Sequence, residues 1–534
     1  MSHFKQYLAI LLAVLMSLSC GAFAAGEEEM VTLTTARSIG DRLQTYIDKK
    51  SDVLTDNIWF NTYREELGAD VQYEWTVPDG QYDEKLNAQI AANDLPDFFQ
   101  VNASQLKQLV DYGMAMDLSE IFYEYASDFT MEMMEFDQFK GIEQATFDGR
   151  LYAIPLCSST RDGASFWWIR KDWLDKLELE IPTTLDELVK VMYAFVNDDP
   201  DGNGVADTYS MAMTKDLFGS NGMEALAEGL GAYTDGWVER DGEIQYGSIQ
   251  PEMKQTLEVL RKLYADGVID REFIVKDYSK VSEDVVAGKI GLVSGGHWQA
   301  FDFINRSYQA NNDAEWVAIS IVSDDGSVPK TMMERSAVKF YVINPDCQHP
   351  EKVVGMYNLF YKYDVAVSPD YNPDYHGRLD AEPESEITQW YQWAAVFAGY
   401  PIQNLYIHIG VEKHYAGDDS EMSNGWVSDN VNSIDNYLAG DNTYYSSYIW
   451  SGPGDYSAEG RIHFYDENDM FIANAYTGAD TDSMTMYNAT LDQLRLEMFT
   501  KIITGEDELD AFDTYVEQWK ALGGDMITAE VNAN

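Results

Sequence analysis

Apolar and polar positions alternate along this chain with two different periods, and the order of those periods outlines a fold. Beyond residue 30, "VTLTTARS" is rich in β-branched residues and reads as a first strand. "WFNTYREELG" follows as a short helix closed by Gly68, and "DVQYEWTV" as a second strand. "YDEKLNAQIAANDLPDFFQV" reads as a helix, a proline-containing turn and an apolar strand. Strand–helix–strand alternation predicts a parallel α/β layer.

The helical period recurs downstream. "DGRLYAIP" is a turn, a strand and a stop, and "FWWIRKDWLDKL" is a strand running into a helix. In "TLDELVKVMYAFVN", Leu185, Leu188, Val189, Met192 and Phe195 share one face behind a Thr184/Glu187 capping box. Met253, Leu257, Leu260 and Tyr264 share a face in "PEMKQTLEVLRKLYADG". Near the end, "TLDQLRLEMFTKIITG" has a Thr490/Gln493 capping box, an apolar face of Leu491, Leu494, Met498 and Ile502, and a stop at Gly505. "LDAFDTYVEQWKALGG" repeats that logic with Leu509, Phe512, Val516 and Trp519. The stretch 368–479 is dense in Tyr, Trp, Asn, Gly and Asp and weak in period, which suits a loop-rich surface or a binding wall. No internal repeat is visible.

Residues 1–25 read as an export signal: Lys5, then the apolar run "YLAILLAVLMSL", then small residues. "AFA" offers cleavage before Ala25, and "SLSCG" offers Cys20 as a lipidated N-terminus that would tether the chain to the outer face of the cytoplasmic membrane. The rest of the 534 residues, 45% hydrophobic, suffice for two or more cores. With 36 Lys and Arg against 91 Asp and Glu the net charge is −55, which argues against nucleic acid and anionic lipid as partners. Cys157 and Cys347 are too few for a disulfide framework and suit buried apolar thiols, though the sequence leaves their pairing open.

The common catalytic signatures are missing: no P-loop, H-E-x-x-H, G-x-S-x-G or paired C-x-x-C. His408 and His414 are six apart, on different helix faces, which favours surface or core roles over metal binding. "DDPDGNGVADTY" is more specific. Counting from Asp199, oxygen donors fall at positions one, three, five, seven and nine: Asp199, Asp201, Asn203, the Val205 carbonyl and Asp207. Gly204 stands at six, where an EF-hand loop turns sharply. Position twelve is Ser210, not the bidentate Glu of a sensor loop, so the donors suit a structural calcium ion, with a solvated acidic turn as the rival. Trp and Tyr, 13 and 35 in number, offer flat apolar faces with a polar edge, suited to sugar rings. Trp298 follows a glycine pair at the end of the strand "KIGLVS", where open α/β sheets bind ligands. Trp167 and Trp168 point to opposite sides of their strand, so one is expected to face a cleft.

Together "KLNAQIAANDLPDFF", "FDGRLYAIP", "WIRKDWLDKLELEIPTTLDEL", "DPDGNGVADTY", "LYADGVIDREF", "VVAGKIGLVSGGHW" and "KIITGEDELDAFDTYVEQWKALGG" resemble extracellular solute-binding proteins of ATP-driven sugar importers. The match is to relatives of maltose-binding protein, and more closely to the large Gram-positive lipoproteins. The resemblance implies an α/β, two-lobed, periplasmic-binding-protein-like fold with a hinge and an interlobe cleft: 30–156 with 330–390 as lobe 1, and 157–329 with 391–534 as lobe 2. It implies a monomeric, non-catalytic receptor that binds an oligosaccharide or similar polar solute and delivers it to the transmembrane subunits of an ABC permease. Calcium would sit at the acidic loop, away from the cleft; Thr208 stands where some relatives place a further acid. Trp298 would stack on the ligand, Ser158, Ser159 and Thr160 at the first lobe crossing would line the cleft, and Trp167 is a further candidate. The rivals are a secreted glycan-processing enzyme and a receptor for a peptide or lipopeptide signal.

Overall fold

A computed structural model describes residues 30–49, 51–135, 140–157, 159–219, 221–324, 327–333, 336–376, 390–400, 402–478 and 480–533. The export segment with Cys20, and Ser158, lie outside these residues.

Two separate cores are built on two sheets. The first sheet has the order 69–78, 31–39, 98–101, 337–343, 153–157. Its first three strands run parallel, and strand 337–343 runs antiparallel to both of its neighbours. Helix Ile58–Leu67 links the first two strands. Asn57 caps it by accepting from the Trp59 and Phe60 amides, and Gly68 ends it in the left-handed region at φ 61°. The second sheet has the order 316–319, 166–170, 290–295, 209–211. Helix Leu185–Asn197 lays Leu185, Leu188, Val191, Met192 and Phe195 into its core.

Among the described residues, buried side chains change core between Cys157 and Ala164, between Val322 and Ala337, and after Tyr400. The first two crossings are tied together. The Ser165 amide donates to Thr331 Oγ1 (2.8 Å), and the Met332 amide donates to the buried carboxyl of Glu228 (3.1 Å). Trp393, Ala394, Val396, Ala398 and Tyr400 are buried in the first core. Cys157 and Cys347 are both buried in that core and are not bridged to each other.

Two expected elements differ. The capping box at Thr490 and Gln493 lies inside the 23-residue helix Asp482–Thr504, which Thr481 caps instead. The described residues of the stretch 368–479 include four substantial helices, Gln403–Tyr415, Gly425–Leu438, Tyr445–Ser451 and Ala458–Glu467. Its period was weak because these helices bury polar side chains, among them His408, Ser433, Ser451 and Glu459.

Close approach in the second core depends on Gly291, in strand 290–295. A Cβ there would lie 2.5 Å from both the Phe195 and Trp173 rings, which meet edge to face at 5.2 Å. Gly291→Ala is therefore expected to lower stability by about 1–3 kcal/mol, the usual cost of overpacking. Chemical denaturation measures it, and an unchanged midpoint would show that the rings yield freely.

Candidate functional site: the interlobe cleft

Two neighbouring cavities share Tyr391 and Gln392 as a common edge. The first, about 420 Å³, opens at the C-terminal ends of the lobe 1 strands, where Arg37, Ser38, Tyr73, Gln100 and Tyr341 line it. That is where an open α/β sheet leaves backbone and side chains accessible to a ligand. The second, about 590 Å³, lies between the lobes. His376 and Tyr391 face it from lobe 1, and His297, Trp298, Phe301 and Trp450 from lobe 2.

The second cavity is walled by aromatic faces. Trp298 is 41% exposed and lies 6.0 Å from the Tyr278 ring, whose hydroxyl donates to Asp302 (2.6 Å). Phe301 packs on Trp450 at 5.4 Å. Trp426, Asp429, Asn430 and Ser433 also line it, and they fall on one face of helix Gly425–Leu438 by the 3.6-residue repeat. The neighbouring face of that helix, Val427, Val431 and Ile434, is buried in a small core of its own. Sequence reasoning offered 368–479 as a candidate binding wall without naming these residues. Their signal was an aromatic and polar i, i+3, i+4, i+7 stripe beside a valine and isoleucine stripe.

The residues named from the sequence have different fates. Trp298 stands in the cavity. Trp167 does not: it is fully buried in lobe 2, where both faces of its strand are covered from Phe166 to Arg170. Trp168 is equally buried and donates from its indole nitrogen to the Gly296 carbonyl (3.2 Å), supporting the backbone beneath Trp298. Ser159 is buried at the first crossing, and Thr160 turns its hydroxyl toward Met333 Sδ (3.7 Å); neither lines the two cavities.

Comparison with known proteins fits this geometry. Residues 41–355 match the family model described as bacterial extracellular solute-binding protein. The chain belongs to this family. Lipoprotein LipO of Bacillus subtilis is 25% identical over 476 residues, covering 87% of this chain and 86% of LipO. The polygalacturonan/rhamnogalacturonan-binding protein YtcQ of Bacillus subtilis is 24% identical over 85% of this chain and 83% of its own length. Among solved structures, the EF-hand mutant of the Streptococcus pneumoniae ABC-transporter substrate-binding protein FusA, in complex with fructo-nystose, superimposes with a TM-score of 0.62. It shares 16% identity and covers 94% of this chain and 98% of its own. These matches establish a two-lobed binding-protein fold, and the family's members are binding proteins rather than enzymes.

In this solute-binding protein the acidic loop lies outside both cavities. Asp201, Asn203, Val205 and Asp207 are exposed, and Asp199 adopts φ 47°. The Asn203 amide nitrogen sits between Asp201 (2.6 Å) and Asp207 (3.0 Å), and the Gly204 amide donates to Asp199 (3.1 Å). Burial, and then the neighbouring carboxylates of Asp199 and Asp207, raise the Asp201 pKa. Asp199 Oδ1 is buried without a hydrogen-bond partner. Thr208 is committed elsewhere: its hydroxyl donates to the Phe195 carbonyl (2.7 Å).

Behind the cavity wall, acids surround His297. Its Nδ1 lies 2.7 Å from Glu459 Oε1 and its Nε2 lies 4.0 Å from Asp162 Oδ2, which also accepts from Asn404 (2.7 Å). Burial pushes Asp162 up to about 6; Glu459 adds to the rise, and His297 opposes it. A raised folded-state pKa means that the folded protein holds this proton more tightly than the unfolded chain. The associated stability is fully present below the ordinary carboxylate value and is lost as pH rises through about 6. Asp162→Asn, which keeps a neutral group there, should match wild type near pH 4. It should become more stable by about 1–3 kcal/mol above pH 6. A stability difference that does not change with pH would contradict this.

Proposed function

We propose that this protein captures a neutral oligosaccharide between its lobes, closes on it by a hinge motion, and presents it to the transmembrane subunits of an ABC importer. The observation that carries the reading is the second cavity, where Trp298, Trp426, Trp450 and Tyr391 converge from both lobes with hydroxyl, amide and carboxylate groups among them. Aromatic faces take up the apolar faces of sugar rings, and the polar groups between them take the hydroxyls. FusA carries fructo-nystose and YtcQ is named for pectic polymers, so glycan ligands are found among the relatives. The charge of the lining favours a neutral glycan over a uronate. Asp79, Asp302 and Asp429 line the cavities, while the Arg37 guanidinium is taken up by the Gln392 and Ala394 carbonyls. Ligand binding selects the closed state because it contacts both lobes only there.

Trp298→Ala is expected to weaken binding of the cognate oligosaccharide about 30- to 1000-fold, the range of a binding hot spot, measured by calorimetry. Apo stability should stay near wild type because the indole is partly exposed. Unchanged affinity, or collapse of the apo protein, would contradict the stacking role.

The acidic loop is proposed to hold one structural calcium ion through Asp199, Asp201, Asn203, the Val205 carbonyl and Asp207. The donors are hard oxygens, as calcium requires, and the Asn203 nitrogen now stands where two carboxylates want positive charge. Turning that amide would bring its oxygen to the same place, in exchange for the hydrogen bond it now accepts from the Val205 amide. Water would complete the shell, since Thr208 is occupied. FusA, whose EF-hand was mutated for study, is a relative with such a loop by its description. A Kd of ~1 µM at ~100 µM free calcium corresponds to about 2.7 kcal/mol of stabilisation. Chelation should therefore lower the melting temperature. A melting curve indifferent to chelator, with no calcium found by elemental analysis, would remove the ion from this loop.

A further inference from the structure

One turn behind the cavity wall, two helices of lobe 2 bring histidine and carboxylate side chains together. His408 and Glu412 are one turn apart on helix Gln403–Tyr415, and His463 and Glu467 one turn apart on helix Ala458–Glu467. Glu412 reaches both histidines: its Oε1 lies 3.4 Å from His408 Nε2 and its Oε2 lies 2.9 Å from His463 Nδ1. Among the described residues this is the group of three such side chains whose ligand atoms all lie within 4.8 Å of one another.

We propose that His408, Glu412 and His463 bind a divalent transition metal, zinc first among them, which fastens these two helices to each other. His408 has 0% exposure, and its Nε2 is buried facing the Glu412 carboxylate at 3.4 Å, too poorly aligned for a full hydrogen bond. A metal ion between them would satisfy both the imidazole nitrogen and the carboxylate. The other nitrogen, Nδ1, lies 3.2 Å from Ser451 Oγ; a hydrogen bond donated there leaves the Nε2 lone pair for the metal. Glu467 Oε1 lies 3.6 Å from His463 Nε2, on the far side of that ring, where a carboxylate orients and strengthens an imidazole ligand. Ligands about 2.0–2.1 Å from a tetrahedral ion stand about 3.3 Å apart; the two carboxylate–imidazole contacts are already near that, and the three ligand atoms, all within 4.8 Å, would draw together to complete the site. Two imidazoles and one carboxylate suit zinc, nickel or copper and not calcium. Half-exposed Glu412 and His463 leave the fourth position to water.

The site would act on the cleft through position. Asn404 lies one turn before His408 and donates to Asp162, and Glu459 lies one turn before His463 and contacts His297. A metal joining the helices at His408 and His463 therefore fixes the spacing of the groups that hold the cleft histidine, about 6 Å away along each axis.

The test is zinc titration of the full mature chain, stripped with chelator and then supplied with excess calcium so that the acidic loop is not the receiver. Calorimetry should show one tight zinc per chain, and a higher melting temperature with zinc than without. His463→Gln and Glu412→Gln alter partly exposed positions and should fold, as checked by circular dichroism. Each should weaken zinc by more than about 100-fold, and Glu467→Gln by about 10- to 100-fold. No zinc uptake by the wild type would overturn the proposal. So would uptake that both ligand variants retain, since that is scattered binding to surface carboxylates.

Discussion

The cleft depends on how one guanidinium holds an irregular stretch of backbone. Residues 394–400 form no strand or α-helix, yet much of the segment is buried against lobe 1. Buried backbone without regular structure needs side chains as partners. Arg37 supplies them at the cleft edge, donating to the Gln392 and Ala394 carbonyls and lying 5.6 Å over the Phe397 ring. Tyr341 and Tyr63 accept from the Phe397 and Ala395 amides, and Tyr361 donates to the Gly399 carbonyl. Just upstream, the Trp59 indole donates to the Trp390 carbonyl. These contacts place Tyr391 and Gln392 on the edge shared by both cavities, so the width of the ligand space follows from them.

Across the cleft, the helices between 403 and 467 bridge what the two sheets alone would leave apart. The Trp426 indole donates to the Asp364 carbonyl of lobe 1 (3.1 Å), and its ring lies 3.3 Å from that of His376, which itself stacks on Tyr391. The same helices carry Asn404, Trp450 and Glu459 toward Asp162 and His297 at the root of the cleft. The ligand-facing surface is thus assembled from strand ends in lobe 1, a short turn after a lobe 2 strand, and this helical layer.

Much of the architecture was legible in the chain. Strands 31–39 and 69–78, helix 58–67 with its Gly68 stop, and helix 185–197 with its Thr184 cap follow from local pattern and capping chemistry. Trp298 could be placed because strand ends and glycine pairs have positional meaning. Trp167 could not, since a two-residue repeat says that faces differ but not whether both are covered, and here both are. The wall at Trp426, Asp429, Asn430 and Ser433 was hidden because its helices bury polar groups as well as apolar ones, which blurs the period. The meeting of His408 with His463 was invisible for a different reason: it joins two helices, and spacing along one chain reports only neighbours on the same helix.

The central claim is that a neutral glycan is bound between the lobes and left chemically intact. Native mass spectrometry of the protein, after incubation with a mixture of neutral oligosaccharides, uronate oligosaccharides and peptides, tests it most directly. The account predicts one neutral oligosaccharide per chain, recovered at its original mass. Selective retention of a peptide or a uronate, or recovery of shortened glycan, would contradict it.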